Sequence, residues 1–247
     1  MLETDTGIIL KSMPFKERDQ ILTVLSPVYG KYGLLAAGTA KLTSRNASSV
    51  LPLTKGEFSF DLKDGKTLFK LRQARTLVLY RNMHEDLPLS CTGEMMAGLM
   101  EYMVPVEMES EGALEQYALL HDALTLLNNM KTEEQILTLS AVYMAELLKL
   151  FGMGLETECC AVCGKTVVSA FSVEQGGFVC EEHLGTLKKM DTVQLKRMRW
   201  INHAGLAHIT EISAEKEDVK CLEEVLVRHA GVNRRIFSLY NRINRID

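Results

Sequence analysis

The chain has 247 residues, of which 24% are charged and 47% hydrophobic, with a formal net charge of −4 and six cysteines. This length suits one large domain or two to three small ones, and it exceeds the usual size of a disulfide-stapled scaffold. No basic segment followed by an apolar one opens the sequence, and no apolar run approaches the length of a membrane span. We therefore expect a globular protein of the reducing cytoplasm with no membrane partner.

Charge is divided unevenly along the chain. Residues 1–81 hold thirteen Lys and Arg against seven Asp and Glu, a formal charge of +6, whereas the remaining residues carry −10. Such an asymmetry is typical of a polyanion-binding module joined to a segment with another role. The first third of the chain is therefore the candidate nucleic-acid-binding part.

The same basic third has the pattern of a small β-barrel. Five β-type runs are separated by Pro, Gly, Asn and Asp, and they cover 7–10, 20–25, 30–37, 56–62 and 67–80. Five short strands in so few residues predict an OB-fold barrel, which we assign to residues 1–81. In the fourth run, Phe58 and Phe60 alternate with polar residues, as expected of a strand with one buried face.

Several cations of this segment are placed to contact phosphates. In the fifth run, apolar residues alternate with Lys70 and Arg72, which should therefore point outward. The polar segment 38–50 is free of acids and contains two further cations, Lys41 and Arg45. A solvated surface is the competing interpretation for any single cation of this kind.

From about residue 86 the apolar period becomes helical. Stripes at this spacing predict helices over 94–103, 114–127, 132–150, 191–202 and 215–230. We assign 82–154 to a helical bundle and 188–247 to C-terminal helices that complete it. The methionines of the first helix could be core residues or an adaptable groove for a partner's peptide.

Two residue pairs that contain cysteine have the spacing of metal ligands. Cys160 and Cys163 form a Cys-x2-Cys pair followed by Gly164, and Cys180 and His183 form a second pair with the same spacing. Cys180 lies sixteen positions after Gly164. Two such pairs at this separation predict four ligands to one tetrahedral zinc ion.

The residues around the pairs complete a zinc ribbon, which we assign to 155–187. Runs 167–171 and 176–179 are typical of a short hairpin that carries the second pair beside the first. Cys159 adjoins the first pair but lacks its spacing, so it is not an expected ligand. Four protein ligands leave no position for water or substrate, which predicts a structural rather than a catalytic zinc.

These elements predict an α+β multidomain protein, with an N-terminal OB-fold barrel followed by an α-helical bundle with an inserted zinc ribbon. No phosphate-binding loop or nucleophile elbow indicates an enzyme, so we expect no small-molecule substrate. Two alternatives stay open. One is a nuclease or hydrolase whose ribbon supports a site elsewhere, and the other is a zinc-ribbon transcription or translation accessory factor.

Four segments in order carry a family resemblance: 7–11 and 17–23 in the first strands, the loop 38–50, and the helix end 147–152 that leads to the cysteine pairs. Together they resemble the RecO family of bacterial DNA repair proteins over nearly the whole chain. Two features differ from that family. His183 stands where a fourth cysteine is usual, and the loop is poorer in cations.

The resemblance implies a non-enzymatic recombination mediator. Such a protein binds single- and double-stranded DNA, anneals complementary strands and, with RecR, helps to load RecA onto strands coated by single-strand-binding protein. We expect the C-terminal tail of single-strand-binding protein to dock on the helical part, and the protein to be cytoplasmic and associated with the nucleoid during repair. The candidate DNA-binding residues are Lys11, Lys31, Lys41, Arg45, Lys70 and Arg72.

Overall fold

The computed structural model describes residues 1–39, 49–106 and 111–246. The chain divides into two compact units, Met1–Asn128 and Asn129–Asp247, which are described in turn. Two candidate DNA-binding residues, Lys41 and Arg45, lie outside the described ranges.

The first unit begins with five strands, at the positions that the sequence predicts. They are β1 (Leu2–Phe15), β2 (Asp19–Ser26), β3 (Gly30–Ala36), β4 (Thr54–Asp61) and β5 (Leu68–Leu79). The first strand is longer than expected, since residues 2–6 pair with residues 57–61 of β4. Strands β3 and β5 are parallel and the other neighbours antiparallel, so the order β1-β2-β3-β5-β4 closes where β4 meets β1.

The interior of this sheet is apolar and aromatic. Phe58 and Phe60 are fully buried, which confirms the predicted alternation, and the Phe60 ring stacks on that of Phe69 with centroids 5.2 Å apart. Tyr32 is also fully buried and donates a hydrogen bond to the Asp5 carboxylate at 2.9 Å. Tyr32 is therefore a core residue and is not available to stack on a base.

The helices of the first unit within its described residues are α1 (Arg81–Glu85), α2 (Leu87–Met103) and α3 (Ala113–Leu127). Helix α2 starts earlier than predicted, because the Asp86 carboxylate accepts the Leu89 N–H at 3.0 Å and Pro88 occupies the first turn. Met96 and Met100 are fully buried, which confirms the core interpretation of the methionine face. Helix α2 packs on β1, and α3 packs on β1, β2 and β3.

The second unit contains the remaining helices: α4 (Glu133–Leu150), α5 (Thr192–Ala204), α6 (Lys216–Ala230) and α7 (Ser238–Asn244). A capping box starts α4, with Thr132 and Gln135 bonded reciprocally. Helix α4 packs against α5 and α6. The division at Asn128 thus differs from the assignment of 82–154 to one bundle, because α2 and α3 pack on the strands of the first unit.

A small two-stranded sheet lies between α4 and α5 in the chain. It pairs β6 (Ala170–Ser172) with β7 (Gly177–Val179), as predicted for the hairpin of a zinc ribbon. Gly176 has a φ of +65° in the turn, a conformation that favours glycine. None of the helices within the described ranges is long and apolar enough to cross a membrane.

Candidate metal centre and nucleic-acid interface

The first cysteine pair lies in a tight loop. The Gly164 N–H donates to the Cys160 carbonyl and the Cys160 N–H to the Lys165 carbonyl, both at 2.8 Å. Gly164 has a φ of +75°, which a residue with a Cβ rarely adopts, so the glycine after Cys163 permits this turn. The turn directs both sulfurs to one point.

The second pair follows the hairpin directly. Cys180 comes after the last residue of β7, and the 3-10 turn Glu181–His183 brings His183 back beside it. The His183 N–H donates to the Cys180 carbonyl at 3.0 Å, which closes this turn. The hairpin therefore delivers the second pair to the first, as the spacing predicts.

The four side chains converge at distances that suit one metal ion. Their ligand atoms all lie within 4.8 Å of one another. The Cys163 and Cys180 sulfurs are 3.7 Å apart, and the His183 Nδ1 atom lies 3.6 Å from the Cys160 sulfur and 3.3 Å from the Cys180 sulfur. A disulfide needs about 2 Å, whereas neighbouring ligands of a tetrahedral zinc lie about 3.5–3.8 Å apart. The donor set thus fits a metal ion and not a disulfide.

The environment favours the ligand forms of two thiols. Burial alone would raise the pKa of Cys160, but backbone N–H groups, including that of Cys163, outweigh it and lower the pKa to about 6. For Cys180 too, burial opposes ionisation, but the contact with His183 lowers the pKa. The two sulfurs in turn raise the pKa of His183. Thiolates are the forms that bind metals.

Cys159 has a different environment. Its backbone N–H donates to the Glu156 carboxylate at 3.2 Å, and it is absent from the group of converging ligand atoms in the described chain. Burial and the charge of Glu156 raise the pKa of its thiol. The structure therefore assigns the first pair as the spacing does, to Cys160 and Cys163. The four converging side chains could hold one metal ion with no coordination position left for a substrate.

The candidate DNA-binding cations on strands differ in their exposure and in their partners. Lys11 and Lys70 are exposed, and in the described part of the chain neither has a salt-bridge partner. Arg72 is exposed but is held by Asp61, with an Nη2 to Oδ2 distance of 2.6 Å. Lys31 is only 5% exposed and donates to the backbone carbonyl of Glu101 on α2. Burial lowers the pKa of Lys31, and its ammonium group is not presented to an external phosphate.

Two turns of the barrel add cations that the sequence analysis did not single out. Lys16 and Arg18 occupy the turn between β1 and β2, and Lys63 and Lys66 that between β4 and β5; all four are exposed. These are the loops that flank the ligand face of an OB-fold. Only the strand order identifies them, because each turn also contains an acid and is not conspicuously basic in sequence.

The strand register places these cations around one outer face of the barrel. Phe15 pairs with Asp19 on β2, Gln20 with the last residue of β3, and Lys70 with Asp61, the last residue of β4. Since Leu35 of β3 pairs with Ile21 of β2 and with Lys70 of β5, the two basic turns lie on either side of one outer face, formed by β2 and β3. This face is the candidate nucleic-acid interface.

Comparison with known proteins matches almost the whole chain to two family models. Residues 1–80 match the model described as recombination protein O N terminal, and residues 84–230 match recombination protein O C terminal. A protein named DNA repair protein RecO from Bacillus cytotoxicus is 26% identical over 235 residues, which cover 92% of this chain and 90% of the relative. Its namesake from Oceanobacillus iheyensis is 25% identical over 233 residues, with 93% and 87% covered.

Proposed function

Since the chain belongs to the RecO family of DNA repair proteins, we propose that it is a DNA-binding recombination mediator and not an enzyme. The observation that carries this proposal is the outer face of the barrel that Lys70 and the two basic turns border. Cations on a barrel surface release counterions from phosphates and give sequence-independent affinity. The same interaction serves single strands and duplexes.

The proposed activity is to bind single- and double-stranded DNA, to anneal complementary strands and, with RecR, to load RecA onto strands coated by single-strand-binding protein. Annealing requires a surface that holds phosphates and leaves base edges free to pair. Lysines without a carboxylate partner suit this role, because they bind phosphates as point charges. We propose that this takes place in the cytoplasm, at the nucleoid during repair.

The DNA interface can be tested through the salt dependence of binding. We expect Lys70→Ala and Lys11→Ala each to weaken binding about equally for all sequences, and to reduce the log–log salt slope by about 0.7 on single strands. Fluorescence anisotropy of a labelled oligonucleotide over a salt series measures both quantities. The same assay on Lys41→Ala and Arg45→Ala tests the candidate loop.

Two control variants make this test specific. Lys188→Ala removes an equally exposed cation from the second unit, and Lys31→Met removes the buried one. Neither should change the salt slope. If all barrel substitutions behave like Lys188→Ala in folded protein, the barrel is not the DNA interface. A gel of the incubated strands tests the nuclease alternative, because annealing leaves the strands intact.

We propose that zinc is the ion held by Cys160, Cys163, Cys180 and His183, and that it is structural. Three sulfurs and one imidazole form a donor set that zinc prefers, and a closed tetrahedral site stabilises the fold around it. A surface ion pair lies beside the proposed zinc site, where the Lys165 ammonium is 2.5 Å from the Glu182 carboxylate.

We further propose a groove of the second unit as the docking site for the tail of single-strand-binding protein. The buried methionine face of α2 is unavailable for this role. The groove of about 880 Å³ lies between the ribbon and α6, and it combines apolar residues such as Leu187 and Val227 with two arginines. These are Arg228 and Arg234, which form exposed ion pairs with Glu174 and Glu224 that a bound carboxylate would have to replace. Apolar side chains next to arginines suit an acidic peptide that ends in an apolar residue and a carboxylate.

A labelled tail peptide tests this docking site. Arg228→Ala should weaken peptide binding in fluorescence anisotropy and leave DNA affinity unchanged. Lys216→Ala is the matched control, because Lys216 is also a cation of α6 in a surface ion pair, with Glu133 at 2.7 Å. Equal losses for the two variants would mean that the peptide senses only the overall charge. Displacement of the peptide by an oligonucleotide would contradict separate sites.

A further inference from the structure

The outer face of the barrel between the two basic turns carries an apolar strip. Leu22 and Leu34 are fully buried in the interior, so their neighbours Ile21 and Leu35 point outward and are half-buried. The strip continues onto flanking strands with three residues that are more exposed. These are Met13 at 46%, Phe15 at 37% and Leu68 at 47% exposure.

The strand register makes the strip continuous. Met13 pairs with Ile21, Ile21 with Leu35, and Leu35 with Lys70. This row crosses three strand spacings, about 14 Å, and ends on a lysine. Phe15 lies two residues beyond Met13, so its ring extends the same outward face towards the basic turn.

Cations surround the strip. The Lys16 ammonium lies 5.3 Å from the centre of the Phe15 ring. Among the nearby acids, Asp19 accepts the Gly38 N–H at 2.9 Å and Asp61 binds Arg72, while each basic turn contains one exposed acid among its cations. The exposed cations at the border of the strip are Lys11, Lys16, Arg18, Lys63, Lys66 and Lys70.

We propose that this strip stacks the unpaired bases of single-stranded DNA, with Phe15 as the aromatic contact, while the surrounding cations hold the phosphates. This proposal rests on the proposed function and specifies that the barrel contacts the bases of the strand as well as its phosphates. An apolar face bordered by cations fits a chain that is both aromatic and anionic better than an apolar peptide. Stacking engages the ring face of a base and leaves its pairing edge free, so a stacked strand can still anneal.

Duplex DNA differs in this respect, because its bases are already stacked. The strip therefore adds affinity for single strands only, whereas the cations act on both forms. Replacing Phe15 should therefore weaken the binding of single strands and leave the binding of duplex DNA unchanged. Replacing a lysine should weaken both.

The test compares Phe15→Ala with Phe15→Tyr on a single-stranded oligothymidine and on a duplex. Phe15→Ala should weaken single-strand binding about tenfold with an unchanged salt slope and unchanged duplex affinity, and Phe15→Tyr should retain binding. Leu79→Ala is the control, since Leu79 is an apolar β5 residue of similar exposure, 44%, at the other end of the strand. Phe15→Trp in a Trp200→Phe background should show fluorescence quenching that saturates with the oligothymidine.

The outcomes distinguish the stacking proposal from the proposed function. Stacking is wrong and phosphate binding stands if Phe15→Ala weakens single strand and duplex equally. The same conclusion follows if the oligothymidine leaves the fluorescence of the Phe15→Trp variant unchanged while Lys70→Ala still lowers the salt slope. If neither Phe15 nor Lys70 substitutions affect DNA binding in folded protein, the barrel interface itself is wrong.

Discussion

Replacing Cys160 with serine should abolish the proposed zinc binding and unfold the segment 155–187. Structural zinc contributes about 10 kcal/mol or more to the folding of small isolated modules, which is as large as the stability of a whole domain. Metal analysis of the purified protein should fall from one zinc per chain to none. Limited proteolysis should then cut within the segment, and a chelator should do the same to the unmodified protein.

The effect should extend to α5, because that helix is bonded to the ribbon. Arg199 donates to the Thr157 carbonyl at 2.8 Å and its guanidinium lies 5.7 Å from the centre of the Phe178 ring. Asn202 donates to the Leu155 carbonyl at 3.2 Å. Trp200 lies between them on α5 and is the only tryptophan of the chain. Its fluorescence should therefore change when the zinc is removed.

Cys159→Ser is the matched control for the zinc experiment. It removes a neighbouring thiol that does not converge on the site, so zinc content and proteolysis should be unchanged. Loss of zinc in Cys159→Ser but not in Cys160→Ser would show that the ligands are shifted by one residue. His183→Ala should also lower zinc affinity, which tests the ligand that departs from the family's usual fourth cysteine.

The second unit should lose stability as the pH rises from about 4.5 to about 7, because of one buried carboxyl group. Glu223 on α6 is 6% exposed, and one of its oxygens accepts from the Asn241 side chain at 2.9 Å. Its other oxygen has no hydrogen-bond partner in the described chain. Burial raises the pKa of Glu223 to about 7 from an ordinary value of 4.5. The native state thus retains a proton that the unfolded state releases.

The sign and size of the effect follow from this difference in proton binding. Between the two pKa values the native state binds more protons, so the unfolding free energy decreases as pH rises and is constant above about 7.5. Each unit of pKa difference corresponds to about 1.4 kcal/mol, so the total is on the order of a few kcal/mol. Nearby Glu224 raises the pKa of Glu223, whereas Lys220 and Arg234 lower it.

Glu223→Gln should remove this dependence. At pH 8 the variant should be more stable than the unmodified protein, and at pH 4.5 the two should be similar. The glutamine amide can also donate to the Asn241 side-chain oxygen, which is buried and has no donor in the described residues. Urea unfolding followed by Trp200 fluorescence reports on this unit, since Trp200 lies within it. An equal difference between the two proteins at both pH values would rule out Glu223 as the titrating group.

Glu224→Gln provides the control at the adjacent position. Glu224 binds Arg234, which lowers the pKa of Glu224, so this carboxylate stabilises the fold when it is ionised. Its replacement should have the opposite sign at pH 8. A surface ion pair typically contributes about 0–1 kcal/mol to stability, so the effect of Glu224→Gln should also be smaller than that of Glu223→Gln.

The metal centre could be predicted almost completely from the sequence. Its ligands lie within one short segment, and the glycine after Cys163 and the hairpin before Cys180 are local signals with local causes. The five strands were also predictable, because their alternation reflects one buried face. The family matches confirm the resemblance that the order of these parts suggested. The zinc itself and the DNA contacts stay predictions.

The features that were missed depend on contacts distant in sequence. Lys31 has the neighbours of an exposed strand cation, yet packing of α2 on the barrel buries it and offers the Glu101 carbonyl. Only the strand order brings the basic turns at Lys16 and Lys63 to the two sides of one face. The placement of α2 and α3 with the barrel likewise depends on which apolar stripe faces which partner. The sequence periodicity shows which residues form the apolar stripe of a helix, but it does not show which element that stripe packs against.

The ion pairs of β5 with β4 have a consequence for how long a DNA strand stays bound. Arg72 binds Asp61, and Arg75 binds Glu57 at 3.1 Å. A phosphate that reaches either arginine must displace a carboxylate, so one anion replaces another and little net charge is neutralised. The carboxylate returns as soon as the phosphate leaves. For the proposed DNA-binding barrel, two cations thus favour rapid exchange of the strand, which suits the proposed annealing because its product duplex must be released.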